Sequence, residues 1–194
     1  EVDNFPLLGK LTALRFVEWV QKNPGGVVSL PTGKTPEHFI KWVQRIMERW
    51  RSKEIQTLLD SHGIDVGRKP EMRDLSFVQI DEFYPMDAAQ QNSFHWYVNE
   101  FYLDGFGISP ENAVLIDATS LGLPEGKTME EIFPNSVVDL SLRVRQTRTD
   151  LERVQKDVIN RVDEFCMRYE TTIREKGGIG FFLGGIGPDG HIAF

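Results

Sequence analysis

Four short apolar runs set the terms for this chain: GVVSL at 26–30, LSFVQI at 75–80, ENAVLI at 111–116 and the glycine-bounded GGIGFFLGGIG at 177–187. Each is too short for a helix and reads as a buried strand. Between them lie stretches with helical spacing. Leu7, Leu11, Leu14, Val17 and Val20 mark one helix, which NPGG ends. Pro36 opens the next, with Phe39, Val43, Ile46, Met47 and Trp50 on its apolar face. Residues 92–103 form an aromatic-rich helical segment, and a long helix over about 150–175 carries Leu151, Val154, Val158, Val162, Phe165 and Tyr169. Strands alternating with helices predict an α/β fold: a doubly wound, mostly parallel, Rossmann-like sheet with helices on both faces. Residues 61–74 read as a polar connection. Residues 119–149 lack periodicity and read as an excursion from the core.

The alternation matters because open parallel sheets bind ligands beyond the C-terminal ends of their strands. Three polar clusters directly follow strands here: PTGKT at 31–35, DEFY at 81–84 and GPDGH at 187–191. The fold would gather them along one edge.

The first cluster lies between a strand and a helix. Free N–H groups and the helix dipole attract an anion at such a place. Gly33 permits close approach, Thr32 and Thr35 offer hydroxyls, and Lys34 adds charge. A nucleotide-binding P-loop needs a glycine at position 28, which is Val28, so that reading fails. The plain structural alternative is Thr35 capping the helix. In the second cluster Asp81 and Glu82 end a strand. A carboxylate shielded there by Phe83 and Tyr84 could serve as a general base, although an Asp at a strand end is also common turn chemistry. In the third, Gly184, Gly185, Gly187 and Gly190 surround Asp189 and His191. A histidine held by a carboxylate is an acid or base near neutral pH.

Composition narrows the function. The 194 residues carry 22 Lys+Arg against 29 Asp+Glu, a net charge of −7. An acidic chain lacks the footprint of a non-specific nucleic-acid binder, while one local cation can still serve a small anion. The single cysteine, Cys166, permits no internal disulfide. Its place in the apolar phase of a helix predicts a buried, inert thiol. His38, His62 and His95 are scattered, and Asp189 with His191 supplies too few ligands for a metal site. No apolar run reaches the ~20 residues of a membrane span. No signal peptide is visible, so a cytoplasmic location is expected.

Together, in order, LPTGKTP, IDEFY and GGIGPDGHIAF resemble the glucosamine-6-phosphate deaminase (isomerase) family, within the superfamily that also holds the 6-phosphogluconolactonases. The stretches near 52–70 and 119–149 look longer than that family's core needs. The resemblance implies conversion of glucosamine 6-phosphate to fructose 6-phosphate and ammonia, without a cofactor or metal. It implies Asp81 as the base that moves a proton from C2 to C1. His191, oriented by Asp189, would assist ring opening. Thr32, Gly33, Lys34 and Thr35, with Gly185, would hold the substrate. Lys34 stands where the family usually has a small residue. The expected partner is a small sugar phosphate, with neither nucleic acid nor membrane, and a homo-oligomer stays open.

Two rivals share the scaffold. A lactonase would use the same histidine to activate water, and the proline in GPDGH is familiar from that branch. IDEFY and HIAF favour the deaminases. A non-catalytic sugar-phosphate-binding regulator could dispense with the base, yet Asp81, Asp189 and His191 are all present. The family motif continues beyond HIAF. Residues 1–194 are therefore expected to be one incomplete domain, lacking its C-terminal part and inactive by itself.

Overall fold

The computed structural model describes residues 2–187 and 189–192. Helix α1 (Phe5–Lys22) begins where the Asn4 side chain accepts the Leu7 N–H, and its chain turns at the positive-φ Gly25 into β1 (Val27–Ser29). Then come α2 (Glu37–Glu48), α3 (Lys53–Ser61), β2 (Ser76–Val78), α4 (Phe94–Val98), β3 (Ala113–Val114), α5 (Met129–Ile132), α6 (Asp150–Glu175) and β4 (Phe181–Phe182). The strands form one parallel sheet in the order β3-β2-β1-β4. All four C-terminal ends therefore reach the same edge.

Strand alternation sorts the side chains into two layers. Val28, Phe77 and Phe181 face α1 and α2, where Phe16 packs edge-on against Phe39 at 5.5 Å and against Phe181 at 5.2 Å. Ser29, Val78 and Phe182 face the other way, toward α6. Helices thus cover both faces, as a doubly wound sheet requires. On the α6 side the hydroxyl of Tyr169 lies 2.7 Å from the Gln79 carbonyl and 2.9 Å from that of Val114, fastening the helix across β2 and β3.

The stretch near 52–70 contributes α3, whose Ile55 and Leu59 are fully buried in the main cluster. Three expectations need correction. Helix α2 starts at Glu37 with Pro36 as its N-cap and no side-chain capping bond, so Thr35 does not cap it. Trp50 lies beyond that helix, buried, with its indole N–H donating to Val66 O at 3.0 Å. Cys166 is exposed. It lies where α6 borders an open cleft rather than pressing on the sheet, so helical phase alone does not bury it. Leu151, at the start of α6, is also 43% exposed, and only Val158 and Ile159 of that helix are buried.

The excursion at 119–149 carries its own small core. Ile132, Phe133 and Leu142 pack with Val158 and Ile159 of α6. The Arg145 guanidinium lies 2.8 Å from both Asp139 and Glu152. The Ser141 hydroxyl and then Arg145 bring the Asp139 carboxyl down to about 2, and Arg145 foremost brings that of Glu152 to about 2. The Arg145–Glu152 pair ties the excursion to α6; both pairs lie near the surface, so they add little stability.

The closest backbone approach is at Gly9, where α1 crosses α2. A Cβ there would lie 2.5 Å from His38 Cβ and 2.8 Å from the Phe39 nitrogen. Alanine would gain about 1 kcal/mol of helix propensity. Overpacking against backbone costs about 1–3 kcal/mol and outweighs it. Gly9→Ala is expected to lower the urea midpoint; a raised midpoint would contradict this packing.

Candidate functional site

The three loops predicted to converge do so. One cavity of about 330 Å³ is lined by Thr32, Gly33, Lys34 and Thr35 after β1, Asp81 after β2, and Gly185, Gly187 and His191 after β4. Ile80, Phe94, Phe182 and Ile192 supply its apolar wall. The volume suits a small metabolite.

The loop after β1 turns at Gly33, whose φ of +82° suits glycine. Among the described residues the amide N–H groups of Thr32 to Thr35 make no backbone hydrogen bond, and the loop lies outside the sheet. These amides stand just ahead of α2, so its dipole adds to their attraction for an anion. Lys34 is the one Lys or Arg side chain on the wall among the described residues. Gly185 approaches the loop closely: a Cβ there would lie 3.5 Å from Pro31 and Thr35, an ordinary contact.

Asp81 emerges from β2 half-buried. Burial is the main cause that raises its carboxyl above the ordinary range, and the neighbouring Glu82 adds to it. Its backbone carbonyl accepts from Gln79 Nε2 at 2.8 Å, while Gln79 Oε1 accepts the Ile116 N–H at 2.9 Å. A fully buried glutamine thus staples the ends of β2 and β3 and holds the Asp81 turn. Sequence reading missed it, although a lone glutamine inside the run LSFVQI was a signal. Glu82 has a different task. Its carboxylate accepts from Ser93 Oγ at 2.8 Å and from the N–H groups of Phe94 and His95 at 3.1 and 2.8 Å, which anchors the start of α4. Of the two rings expected to shield Asp81, Phe83 is 43% exposed and Tyr84 packs toward the excursion, against Phe133. The Tyr84 hydroxyl donates to Leu121 O at 3.0 Å, and burial pushes it up to about 12.

The turn at 187–191 closes on itself. Gly190 N–H donates to Gly187 O and Gly187 N–H to His191 O, each at 2.9 Å. The imidazole lies directly over Gly187, where a Cβ would collide with the ring. His191 Nδ1 hydrogen-bonds Asp189 Oδ1, and this bond is the main cause that lowers the Asp189 carboxyl. An ionised carboxylate only accepts, so Nδ1 carries the proton and Nε2 is the basic nitrogen of that tautomer. Pro188, Ala193 and Phe194, which carry part of the GPDGH and HIAF motifs, lie outside the described residues.

His62 and His95 fill packing roles, their Nδ1 atoms lying 3.0 and 3.2 Å from Leu58 O and Ile116 O. Among the described residues no group of three or more His, Cys, Asp or Glu could hold a metal ion. No helix there is long and apolar enough to cross a membrane.

A parallel α/β sheet with a loop-built cavity at its strand ends defines the class, and a solved structure shares the fold. A monomeric glucosamine-6-phosphate deaminase, described as a missing link of the NagB superfamily, superposes with a TM-score of 0.59 at 18% identity, covering 98% of this chain and 56% of that one. The two chains share a fold. No protein-family model matches the chain. Its sequence resembles glucosamine-6-phosphate deaminases over nearly its whole length. That of Alkaliphilus oremlandii is 26% identical over 192 residues, 99% of this chain and 56% of the relative. That of Bacteroides fragilis is 64% identical over 33 residues, 17% of this chain and 12% of the relative. The chain thus spans little more than half the length of the Alkaliphilus protein.

The raised Asp81 carboxyl has a consequence for stability. Between the unfolded value, about 3.9, and its higher folded value, the folded state holds more protons than the unfolded one. Stability therefore falls as pH rises through that window. Asn at this position does not titrate. Asp81→Asn is expected to melt higher than wild type at about pH 7 and to lose that advantage near pH 3. Thermal melts across the range decide; a variant less stable at neutral pH would contradict the burial of charge.

Proposed function

We propose that this cavity binds a phosphorylated amino sugar and that the full-length protein is a glucosamine-6-phosphate deaminase. The observation that carries the reading is the convergence of the Thr32–Thr35 loop, Asp81 and His191 on one small cavity. The similarity to deaminases of this name supports it.

In this reading the amides of Thr32 to Thr35, with Lys34, bind the phosphate, and Gly185 keeps the opposite wall close. The His191 imidazole, held by Asp189, moves the proton that opens the sugar ring and exposes the C1 carbonyl. Asp81 takes the proton from C2 and returns it to C1. As the C2 ammonium becomes an iminium it gives up one proton, which matches the proton that the C1 carbonyl oxygen gains to become an alcohol; water then converts the iminium to the ketone with loss of ammonia. A base for this step must be unprotonated at working pH yet strong enough to take a carbon-bound proton. Partial burial of Asp81 shifts it in that direction. Phosphate binding far from the reacting carbons supplies orientation.

Asp81→Asn in the full-length protein is expected to reduce kcat by about 10²-fold or more with little change in KM. His191→Gln is expected to keep residual turnover, because ring opening also proceeds in water, and open-chain substrate should partly restore it. A lactonase working through His191 would reverse the order, tolerating Asp81→Asn and failing with His191→Gln. Ammonia release from glucosamine 6-phosphate, set against acid release from the lactone, separates the two.

A further inference from the structure

Helix α4 does not end at Val98 but runs on through a π turn, Asn99–Asp104, and one more α turn. Two tyrosines on it reach the loop after β1. The Tyr97 hydroxyl donates to Gly33 O at 2.8 Å, and the fully buried Tyr102 hydroxyl donates to Pro31 O. Neither ring lines the cavity. The π turn explains how both reach one loop. Residues five apart on an α-helix stand about 140° out of phase, at 3.6 residues per turn. The i to i+5 repeat of a π turn brings them toward one side. Such a turn forgoes regular α-helical bonding and is frequent at functional sites.

A peptide unit is planar and trans, so a carbonyl held on one side points the following N–H the other way. Fixing Pro31 O fixes the Thr32 N–H, and fixing Gly33 O fixes the Lys34 N–H. Both of those residues line the cavity. Resting on the phosphate-binding reading above, we infer that Tyr97 and Tyr102 are positioning residues, which orient the Thr32 and Lys34 amides as a preset pair of donors for the substrate phosphate. Burial keeps both hydroxyls protonated as donors, Tyr97 pushed up to about 12 and Tyr102 well above its ordinary value. Tyr102 is itself fixed by stacking on Phe77 of β2 at 5.4 Å, and the start of α4 by the Glu82 carboxylate. The donors are therefore referenced to the same frame as Asp81.

The test titrates inorganic phosphate into the full-length wild type, Tyr97→Phe and Tyr102→Phe, with calorimetry and amide spectra of Thr32 and Lys34. Wild type is expected to bind phosphate with downfield shifts at both amides. Each variant should raise the phosphate Kd about five- to tenfold, the worth of a hydrogen bond. In Tyr97→Phe the shift at Lys34 shrinks first, and in Tyr102→Phe that at Thr32. With glucosamine 6-phosphate, KM rises while kcat stays within about twofold, since uniform binding is what is lost. Should the buried Tyr102→Phe fail to fold, the more accessible Tyr97→Phe decides. Wild-type phosphate affinity in Tyr97→Phe, a loss confined to kcat, or no phosphate binding by wild type overturns the inference. Phosphate binding that depends on the tyrosines, without ammonia release, upholds their role and removes the deaminase reading instead.

Discussion

Everything at the cavity depends on a three-residue strand. β1 pairs in parallel with β2 on one side and β4 on the other, at Val28↔Phe77 and Val28↔Phe181. Parallel pairing is what makes three distant segments end side by side; an antiparallel neighbour would send its loop to the opposite edge. The register also decides which residues leave the sheet first. With Ser29 opposite Phe182 and Val28 opposite Phe77, the turns at Pro31, Gln79 and Gly184 begin within a residue or two of one another. Ser29 strengthens the join by donating its buried hydroxyl to Val78 O at 2.7 Å.

Much of this was legible in the sequence because it rests on local patterns. Strands bounded by glycine and polar turns, helices with apolar faces, and polar clusters placed after strands are all short-range signals, and each predicted strand is present. The misreadings and the omissions came from information that is not local. The apolar phase of Cys166 says which side of α6 it occupies, while its exposure depends on how far that helix stands from the sheet. The burial of Ile55 and Leu59 depends on α3 folding back on the main core. The adjacent carboxylates of Asp81 and Glu82 look equivalent in sequence. They separate only because α4 presents Ser93 and two N–H groups to one of them. The tyrosine contacts to the β1 loop span 64 and 71 positions, and no periodicity announces them.

Asp81, on the cavity wall, and Asp189, which reaches the cavity only through His191, are shaped in opposite directions. Asp189 is solvated and held low by its imidazole partner, which suits a carboxylate that stays ionised and orients a neighbour. Asp81 is held high by burial, which suits one that exchanges a proton. The chain as a whole is acidic, yet the cavity wall sets Lys34 and the amides of the β1 loop on one side and Asp81 on another, so a cationic and an anionic site stand within one small space.

Asp81 belongs to two walls. Besides the small cavity it borders the apolar cleft of about 420 Å³ between α6 and the face of the sheet carrying Val78 and Phe182. That cleft is a neighbouring medium for the carboxylate, and its dielectric response is set by its contents. Filled with water it screens the charge; filled with apolar atoms it leaves the ionised form less well solvated and the group more basic. The proton affinity of Asp81 is thereby adjustable from behind, through a surface that no molecule in the front cavity needs to touch.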